Sequence, residues 1–292
     1  MYEKIESCPI CDTSQSENYL IITDHSFSQE SFALVKCQKC SFIYTNPRPI
    51  EEESWKYYDS ASYISHSNNT TSFKDLIYKA VRKYTLTQKT KLILKYKKQP
   101  IVLDYGCGSG HFLNHLIKQN IEAYGIEPAK EKSIDVHSSF NTKVYTSIKE
   151  FPKQVKPDII TAWHVIEHVH NLKETLNTLQ KRLSENGYLI IALPNNQSLD
   201  ATYYKEFWAG YDVPRHLYHF DKQSVKTLAK QLRMKVIKIY PMTFDAYYVS
   251  MLSEQYQRNK NSFFRGLKLG YQSNKSAKKT GEYSSLIYVL KK

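Results

Sequence analysis

A short apolar run beginning at Val102 ends in an acid, and three alternating glycines follow it. The residues of this loop are Asp104, Gly106, Cys107, Gly108 and Gly110. Glycine at alternate positions lets the backbone turn tightly and approach a ligand closely. The apolar residues after His111 predict a helix whose first N–H groups can bind an anionic group. A dinucleotide-binding loop would carry glycine at position 111, so the pattern favours another nucleotide-like cofactor.

A second acid, Glu127, ends the next predicted strand and is followed by Pro128. It lies about 20 residues beyond the glycine loop, where an acid can hydrogen-bond both hydroxyls of a ribose. A solvated acid at a strand end is the alternative. Together with the glycine loop, the spacing favours ribose binding.

Four of the five cysteines form two Cys-x-x-Cys pairs, Cys8 with Cys11 and Cys37 with Cys40. Such pairs are typical of a four-thiolate zinc site, and a hairpin or short strand pair must fill the gap between them. Disulfides are the rival interpretation, which a cytoplasmic location would disfavour. Redox catalysis by one of the pairs is a still weaker interpretation, because no thioredoxin-like pattern surrounds either pair. We expect a structural zinc site, whereas Cys107 is expected to be a small buried hydrophobe.

The run His164-x-x-Glu167-His168 matches the inverted zinc-protease motif H-x-x-E-H. That motif needs both histidines on one helical face, whereas an apolar strand is predicted to run directly into His164. The protease interpretation is therefore disfavoured. Glu167 and His168 are expected to cap or pin the following helix. His164 follows the carboxyl end of a strand, where ligands bind in doubly wound sheets.

A segment rich in polar and aromatic residues, 208–220, follows the next predicted strand. Connecting segments of this kind often carry function. Arg215 can bind a carboxylate or phosphate through two hydrogen bonds, and a histidine can act as a base near neutral pH. These residues predict a substrate site in which Arg215 anchors an anionic acceptor and His216 or His164 is the base. Alternatively, Asp212 and Arg215 pair to staple the loop, with His216 simply packed.

The chain has 292 residues, enough for one α/β domain and a small module. Its net charge of +13 attracts anions, but a generally lysine-rich composition would give the same balance. No stretch is long and apolar enough to span a membrane, and the N-terminus lacks a signal-peptide pattern. These features predict a cytoplasmic protein.

Strand and helix patterns alternate after residue 100, as in a parallel sheet covered by helices. Strands are predicted at 101–104, 122–126, 159–162, 188–193, 235–240 and 284–290, and helices at 73–98, 172–183 and 224–232. The predicted organisation is a zinc-ribbon module (1–50), a helical linker or cap (51–99) and a main domain (100–292). The linker includes a segment rich in Tyr and Ser, 55–72.

Two insertions are predicted in the main domain, near 196–220 and 243–282. The second is aromatic and basic, with residues such as Phe263, Phe264 and Arg265. It is interpreted as a substrate lid, a membrane-surface patch, an RNA-contacting arm or a solvated helical hairpin.

These motifs, in this order, resemble the class I S-adenosylmethionine (SAM) methyltransferases of the small-molecule group, which includes ubiquinone and sugar methyltransferases. The resemblance rests on the paired cysteines, the Asn46–Pro49 exit, the glycine loop, the Glu-His junction and the segment 214–217. It implies a Rossmann-like seven-stranded sheet with helices on both faces.

The resemblance also implies which residues bind SAM and which are catalytic. SAM contacts are expected from Asp104, Gly106, Cys107, Gly108, Gly110, Glu127, Pro128 and His164. The expected catalytic residues are His216, His164 and Arg215, acting on an anionic small-molecule acceptor such as a sugar or glycan precursor. Family members often carry an acid beside the adenine, which the segment 145–148 lacks.

Two alternatives stay open. An RNA methyltransferase would use the zinc ribbon and the basic surface, although the residues after Thr161 lack the Pro-Pro-aromatic run usual for base methylation. A non-catalytic zinc-ribbon interaction protein with a SAM fold is the other. The intact glycine loop and Glu127 argue against it.

Overall fold

The computed structural model describes residues 1–58, 73–128 and 143–292. Most of the Tyr- and Ser-rich segment of the predicted linker lies outside these residues. Contacts between α-carbons group the described chain into two units. The first unit, here the ribbon unit, comprises 1–58, 164–175 and 192–288; the second, the loop unit, comprises 73–128, 143–163, 176–191 and 289–292. The grouping differs from the predicted sequential boundaries at 50 and 99, since the ribbon packs with the C-terminal half of the chain.

The strands of the described residues are numbered in chain order. They are β1 (Tyr2–Glu3), β2 (Ser16–Thr23), β3 (Ser31–Cys37), β4 (Ile43–Thr45), β5 (Arg48–Pro49), β6 (Val102–Tyr105), β7 (Ala123–Ile126), β8 (Lys143–Tyr145), β9 (Ile159–Trp163), β10 (Tyr188–Pro194), β11 (Tyr218–His219), β12 (Lys235–Pro241) and β13 (Ser285–Lys291).

The α-helices of the same residues are α1 (Phe73–Tyr96), α2 (His111–Lys118), α3 (Leu172–Arg182), α4 (Leu199–Tyr204), α5 (Lys222–Gln231), α6 (Asp245–Tyr256) and α7 (Ser262–Thr280). Short 3₁₀ helices occur at Glu51–Tyr57, Ile166–His168, Lys205–Phe207 and Ala209–Tyr211. None of the described helices is long and apolar enough to cross a membrane.

Seven strands form one sheet in the order β12-β13-β10-β9-β6-β7-β8. Strand β6 pairs in parallel with β7 and β9, and β7 pairs in parallel with β8. The residues Val102, Leu103, Ile159 and Ile160 are fully buried, as expected for parallel strands covered on both faces. The α/β fold class predicted from the sequence is confirmed, and the predicted strands match to within a residue or two. Strand β8 was not predicted.

The ribbon unit contains a four-stranded sheet in the order β11-β4-β3-β2. Strands β2 and β3 are antiparallel and fill the gap between the cysteine pairs, as predicted. Strand β11 comes from the segment after Arg215 and pairs with β4. Side chains of the ribbon strands, such as Phe32 and Leu34, share one buried cluster with Tyr204 and Trp208. Hydrophobic burial therefore joins the ribbon to the predicted substrate segment.

The basic insertion folds as a helical hairpin of α6 and α7. A Cβ at Gly266 would lie 2.5 Å from Met251 Cα, and one at Gly270 would lie 2.7 Å from Tyr247 Cα. The two glycines therefore let the helix backbones pack closely. Helix α6 begins at Asp245, which becomes important at the site.

Candidate functional site

The glycine loop turns from β6 into α2 with all three glycines in the left-handed region. The φ angles are 72° at Gly106, 53° at Gly108 and 69° at Gly110, values that other residues adopt only at a cost. The N–H of Gly106 donates to the carbonyl oxygen of Ile126 at 2.8 Å, which ties the loop to β7. A Cβ at Gly108 would meet no atom within 4 Å. The loop therefore presents bare backbone beside open space.

Glu127 lies at this loop, and its role as the ribose ligand stays a prediction. Its Oε2 accepts a hydrogen bond of 2.8 Å from the N–H of Gly108, and its own N–H donates to the carbonyl of Tyr145. A carboxylate fixed at the mouth of a glycine turn suits the two hydroxyls of a ribose. The role predicted for the adjacent Pro128 stays a prediction.

Asp104 is fully buried at the end of β6. Burial raises its pKa to about 6, against the hydrogen bond of 2.6 Å donated by Thr161 Oγ1, which favours the charged form. This hydrogen bond ties the end of β6 to Thr161 of β9, directly before the glycine loop. Cys107 is also buried, and burial raises its pKa, so it is a packed thiol rather than a nucleophile.

Two further residues of the loop unit were missed by the sequence reasoning. Trp163 ends β9, and its ring lies edge-on to Phe112 with centroids 5.5 Å apart. Lys89 of α1 lies 4.3 Å above the same ring, a cation–π contact. Among the described residues, no partner is found for the buried Trp163 Nε1. The position of Trp163 as the last residue of β9 was the signal available in the sequence.

The four predicted zinc ligands converge in the ribbon unit. The sulfur atoms of Cys8 and Cys40 lie 3.5 Å apart, as do those of Cys11 and Cys37, and all four lie within 4.8 Å of one another. No disulfide joins them. With Zn–S bonds of about 2.3 Å, a tetrahedral site places sulfurs about 3.8 Å apart. The cluster therefore fits a zinc ion, and the thiolates would leave it no open position.

Arg215 is not available to an acceptor. Its side chain is 2% exposed and binds two carboxylates, with Nη2 2.9 Å from Asp24 Oδ1 and 2.7 Å from Asp212 Oδ1. Burial alone would raise the pKa of both acids, but the hydrogen bonds and charge of Arg215 outweigh it and hold both pKa values low. The geometry contradicts the predicted anion anchor and matches the alternative, in which Asp212 and Arg215 staple the loop. Asp24, in the ribbon, was not foreseen as a partner.

His216 is buried at the start of the segment that leads into β11. Its Nδ1 lies 2.9 Å from the carbonyl oxygen of Gly210, and since a carbonyl only accepts, Nδ1 carries the proton. In the neutral ring the lone pair is then on Nε2, which lies 3.9 Å from Asp212 Oδ2. This is the arrangement of a histidine whose tautomer is fixed by the backbone, with Nε2 as its basic nitrogen.

His168 and Glu167 complete a cluster around His216. The rings of His168 and His216 are 4.6 Å apart. His168 Nδ1 lies 3.0 Å from the carbonyl oxygen of Arg215, and burial, then the neighbouring His216, lowers its pKa to about 4. Glu167 is fully buried, and no described residue bonds to its Oε2. The sequence assigned Glu167 and His168 to the pinning of a helix, and did not foresee that they face His216.

One ligand atom each of Glu167, His168 and His216 lies within 4.8 Å of the others. Two imidazoles and one carboxylate are also a donor set for a divalent cation. The cluster therefore offers either a positioned base or a cation site, two chemistries that metal dependence would separate.

His164 has the properties of an ion-pair partner rather than a base. Its Nδ1 lies 3.3 Å from Glu167 Oε1 and its Nε2 3.1 Å from Asp245 Oδ2. Burial would lower its pKa, but the two acids outweigh this and raise it to about 10. A histidine charged at neutral pH cannot accept a proton, so the geometry disfavours His164 as the base. Its φ of 56° and its bonds to both acids fit a fixed junction after β9.

Comparisons with known proteins agree with this architecture. A family model described as a methyltransferase domain matches residues 78–238, more than half of the chain. The ubiquinone biosynthesis O-methyltransferase of Rickettsia bellii is 30% identical over 101 residues, covering 32% of this chain and 42% of the relative. That of Rickettsia conorii is 24% identical over 151 residues, 49% of each chain. This chain thus spans less than half the length of these curated relatives.

Solved structures show the fold. Magnesium protoporphyrin IX methyltransferase from Synechocystis PCC 6803 superposes with a TM-score of 0.53 at 12% identity, covering 81% of this chain and 97% of that one. A SAM-dependent methyltransferase from Archaeoglobus fulgidus superposes with a TM-score of 0.50 at 19% identity, covering 76% and 100%. The predicted family is confirmed: the chain belongs to the methyltransferase domain family and has the fold of the class I SAM-dependent methyltransferases.

Proposed function

We propose that this chain transfers a methyl group from SAM to a small-molecule acceptor, with His216 as the general base. The proposal that SAM is the methyl donor rests on the left-handed glycine loop, where Glu127 is hydrogen-bonded to Gly108. SAM, when bound, supplies an electrophilic methyl group on a sulfonium. Asp104, the loop glycines and Glu127 are the residues we assign to hold it, with Glu127 on the ribose.

Two features of the glycine loop suit it to bind SAM. The open space beside Gly108 admits a ligand close to the backbone, which any side chain would obstruct. The carboxylate of Glu127 is held in place by a backbone N–H rather than by a flexible contact. Both features are preorganised, which lowers the entropic cost of binding.

The proposal for how the methyl acceptor is activated rests on His216. In the proposed step its Nε2 takes the proton of the acceptor's nucleophilic group as that group forms a bond to the methyl carbon and the sulfur–carbon bond breaks. The Gly210 carbonyl keeps the proton on Nδ1 and so keeps Nε2 basic. The Glu167 carboxylate lies in the same buried cluster and would stabilise the imidazolium that forms. Such a base contributes on the order of 10²–10⁴-fold in rate.

For the acceptor we propose a hydroxyl-bearing small molecule, with nucleotide-linked sugars and glycan precursors tested first and catechol-type rings second. The relatives named for ubiquinone biosynthesis support a small molecule. The paired cysteines near the N-terminus also resemble those of the sugar methyltransferases that modify nucleotide-linked deoxysugars, which supports the sugar class. The anchoring role is not given to Arg215, because its guanidinium is occupied by Asp24 and Asp212.

We propose that the cysteine cluster holds a structural zinc ion. The mutual spacing of the four sulfurs supports this assignment. Cys40 N also donates to Cys37 Sγ at 3.4 Å, a backbone bond that stabilises a thiolate. The ion would tie the β2–β3 hairpin to the cysteine turns.

The test is a comparison of His216→Ala with the wild-type enzyme across a panel of acceptors and labelled SAM. We expect kcat to fall by about 10²-fold or more while the SAM dissociation constant stays unchanged. His115→Ala on α2 is the matched control and should keep full activity. Equal kcat in His216→Ala would refute the base. A strict requirement for added Mg²⁺ or Mn²⁺ would instead assign the cluster to a cation.

A further inference from the structure

The tip of the α6–α7 hairpin exposes two adjacent phenylalanines. Phe263 is 49% exposed and Phe264 72% exposed, in the first turn of α7. Their rings lie edge to face with centroids 5.4 Å apart. Neighbouring exposed aromatic rings are typical of a surface that an apolar partner covers.

This tip is held in a fixed shape. Buried Glu254 of α6 accepts a hydrogen bond of 2.7 Å from Arg265 Nε and another of 2.7 Å from Asn259 Nδ2. Tyr204 donates to the same carboxylate at 3.0 Å. The close packing at Gly266 fixes α7 against α6 behind the rings. The hydrogen bonds to Glu254 and the close helix packing therefore hold the two phenylalanines in an exposed position.

Charge on the same segment has one sign. Between residues 257 and 281 there are seven cationic side chains and no acidic residue. All seven are exposed. They are Arg258, Lys260, Arg265, Lys268, Lys275, Lys278 and Lys279.

The cations and aromatic rings share a face of α7. Phe264, Lys268, Tyr271 and Lys275 follow one another at spacings of three or four residues and are all exposed. The opposite face, which includes Leu269 and Ala277, is buried. A helix with apolar rings at its first turn and lysines along its outer face matches an interfacial element.

We propose that this hairpin docks the protein on a lipid surface that bears anionic head groups. The Phe263 and Phe264 rings enter the boundary between head groups and acyl chains, and the lysines contact the lipid phosphates. An apolar interface suits these rings better than nucleic acid does. Both side chains are phenylalanines, which have no polar atom to hydrogen-bond a base edge and which fit an apolar phase. The proposal does not depend on methyl transfer.

The test is co-sedimentation of the full chain with vesicles of phosphatidylcholine, with and without phosphatidylglycerol. We expect binding only to the anionic vesicles, weakening as salt rises. The Phe263→Ser/Phe264→Ser variant should bind about tenfold more weakly or worse. Lys275→Gln/Lys278→Gln should bind weaker by about fivefold per lysine. All four side chains are exposed, so the variants should keep the wild-type melting temperature.

Matched controls come from elsewhere on the ribbon unit. Ile21→Ser removes an equally exposed apolar side chain from β2. Lys226→Gln/Lys230→Gln removes two cations from α5. Both should bind vesicles as the wild type does. Wild-type protein that ignores anionic vesicles, or a phenylalanine variant that binds them normally, would overturn the proposal. So would hairpin-dependent binding of single-stranded RNA without vesicle binding, measured by fluorescence anisotropy.

Discussion

Replacing Gly108 by alanine should affect both SAM affinity and the free energy of unfolding, and the two effects can be measured separately. The φ of 53° places Gly108 in the left-handed region, where an alanine costs about 1–2 kcal/mol. Because no atom lies within 4 Å of the new Cβ, no steric term adds to that cost. The free energy of unfolding should therefore fall by about 1–2 kcal/mol and the melting temperature by a few degrees.

The effect on SAM should be larger than the effect on folding. The added methyl occupies the space beside the backbone and separates the ligand from the Glu127 carboxylate, which Gly108 itself holds. Losing one hydrogen bond to a charged group costs about 1.5–3 kcal/mol, or about tenfold to a hundredfold in affinity. Isothermal titration calorimetry with SAM measures this directly.

Gly281 provides the matched control. It has φ of 77° at the end of α7, and only Lys222 Nζ, at the end of a long side chain that pairs with Glu282, lies near its Cβ position. Gly281→Ala should lose a similar unfolding free energy yet bind SAM normally. A ligand-contacting role for Gly108 is excluded if Gly108→Ala binds SAM as tightly as wild type, or if both variants lose affinity equally.

Three other perturbations address the ribbon unit. Arg215→Ala leaves the buried Asp24 carboxylate without its cation, with only hydrogen bonds from residues 26–28, and should cost about 3–5 kcal/mol in chemical denaturation; a loss below about 1 kcal/mol would contradict the buried network. The pKa of His164 is about 10 when folded against 6.5 as its ordinary value, so the stability from its charge is complete below pH 6.5 and is lost as pH rises towards 10. The stability difference between wild type and His164→Gln should therefore shrink over that range, and a constant difference would refute the ion pair. Cys40→Ser should abolish stoichiometric zinc in elemental analysis, while Cys107→Ser retains it; zinc retained in Cys40→Ser would exclude the four-thiolate site.

Local patterns were sufficient to predict most elements of the fold. The strand-loop-helix around Gly106 has a strong sequence signal because left-handed turns need glycine. The β2–β3 hairpin followed from the spacing of Cys11 and Cys37, since two ligands of one ion must be brought together. Strand β8 was missed because three residues, Lys143–Tyr145, carry too short an apolar pattern.

The contacts that decide the roles at the site are long-range and were not predictable. Asp24 and Arg215 are 191 residues apart, so no local pattern connects them. The pairing of Arg215 with the nearby Asp212 was one of the two sequence hypotheses, but its second partner, Asp24, has no local signal. Likewise, the charged state of His164 depends on Asp245, which starts a helix far along the chain. Burial and partners, rather than residue type, set the role of each ionisable group.

Calorimetric titration of the full chain with SAM measures directly whether the Gly106–Gly110 loop and Glu127 bind this methyl donor. We expect saturable binding to wild type that is weakened about tenfold or more in Glu127→Ala, which loses hydrogen bonds to a charged acceptor. Glu150→Ala, which removes an acid bonded to Thr146, should bind normally. The absence of any heat of binding with wild-type protein, or undiminished affinity in Glu127→Ala, would contradict SAM binding by this loop and Glu127.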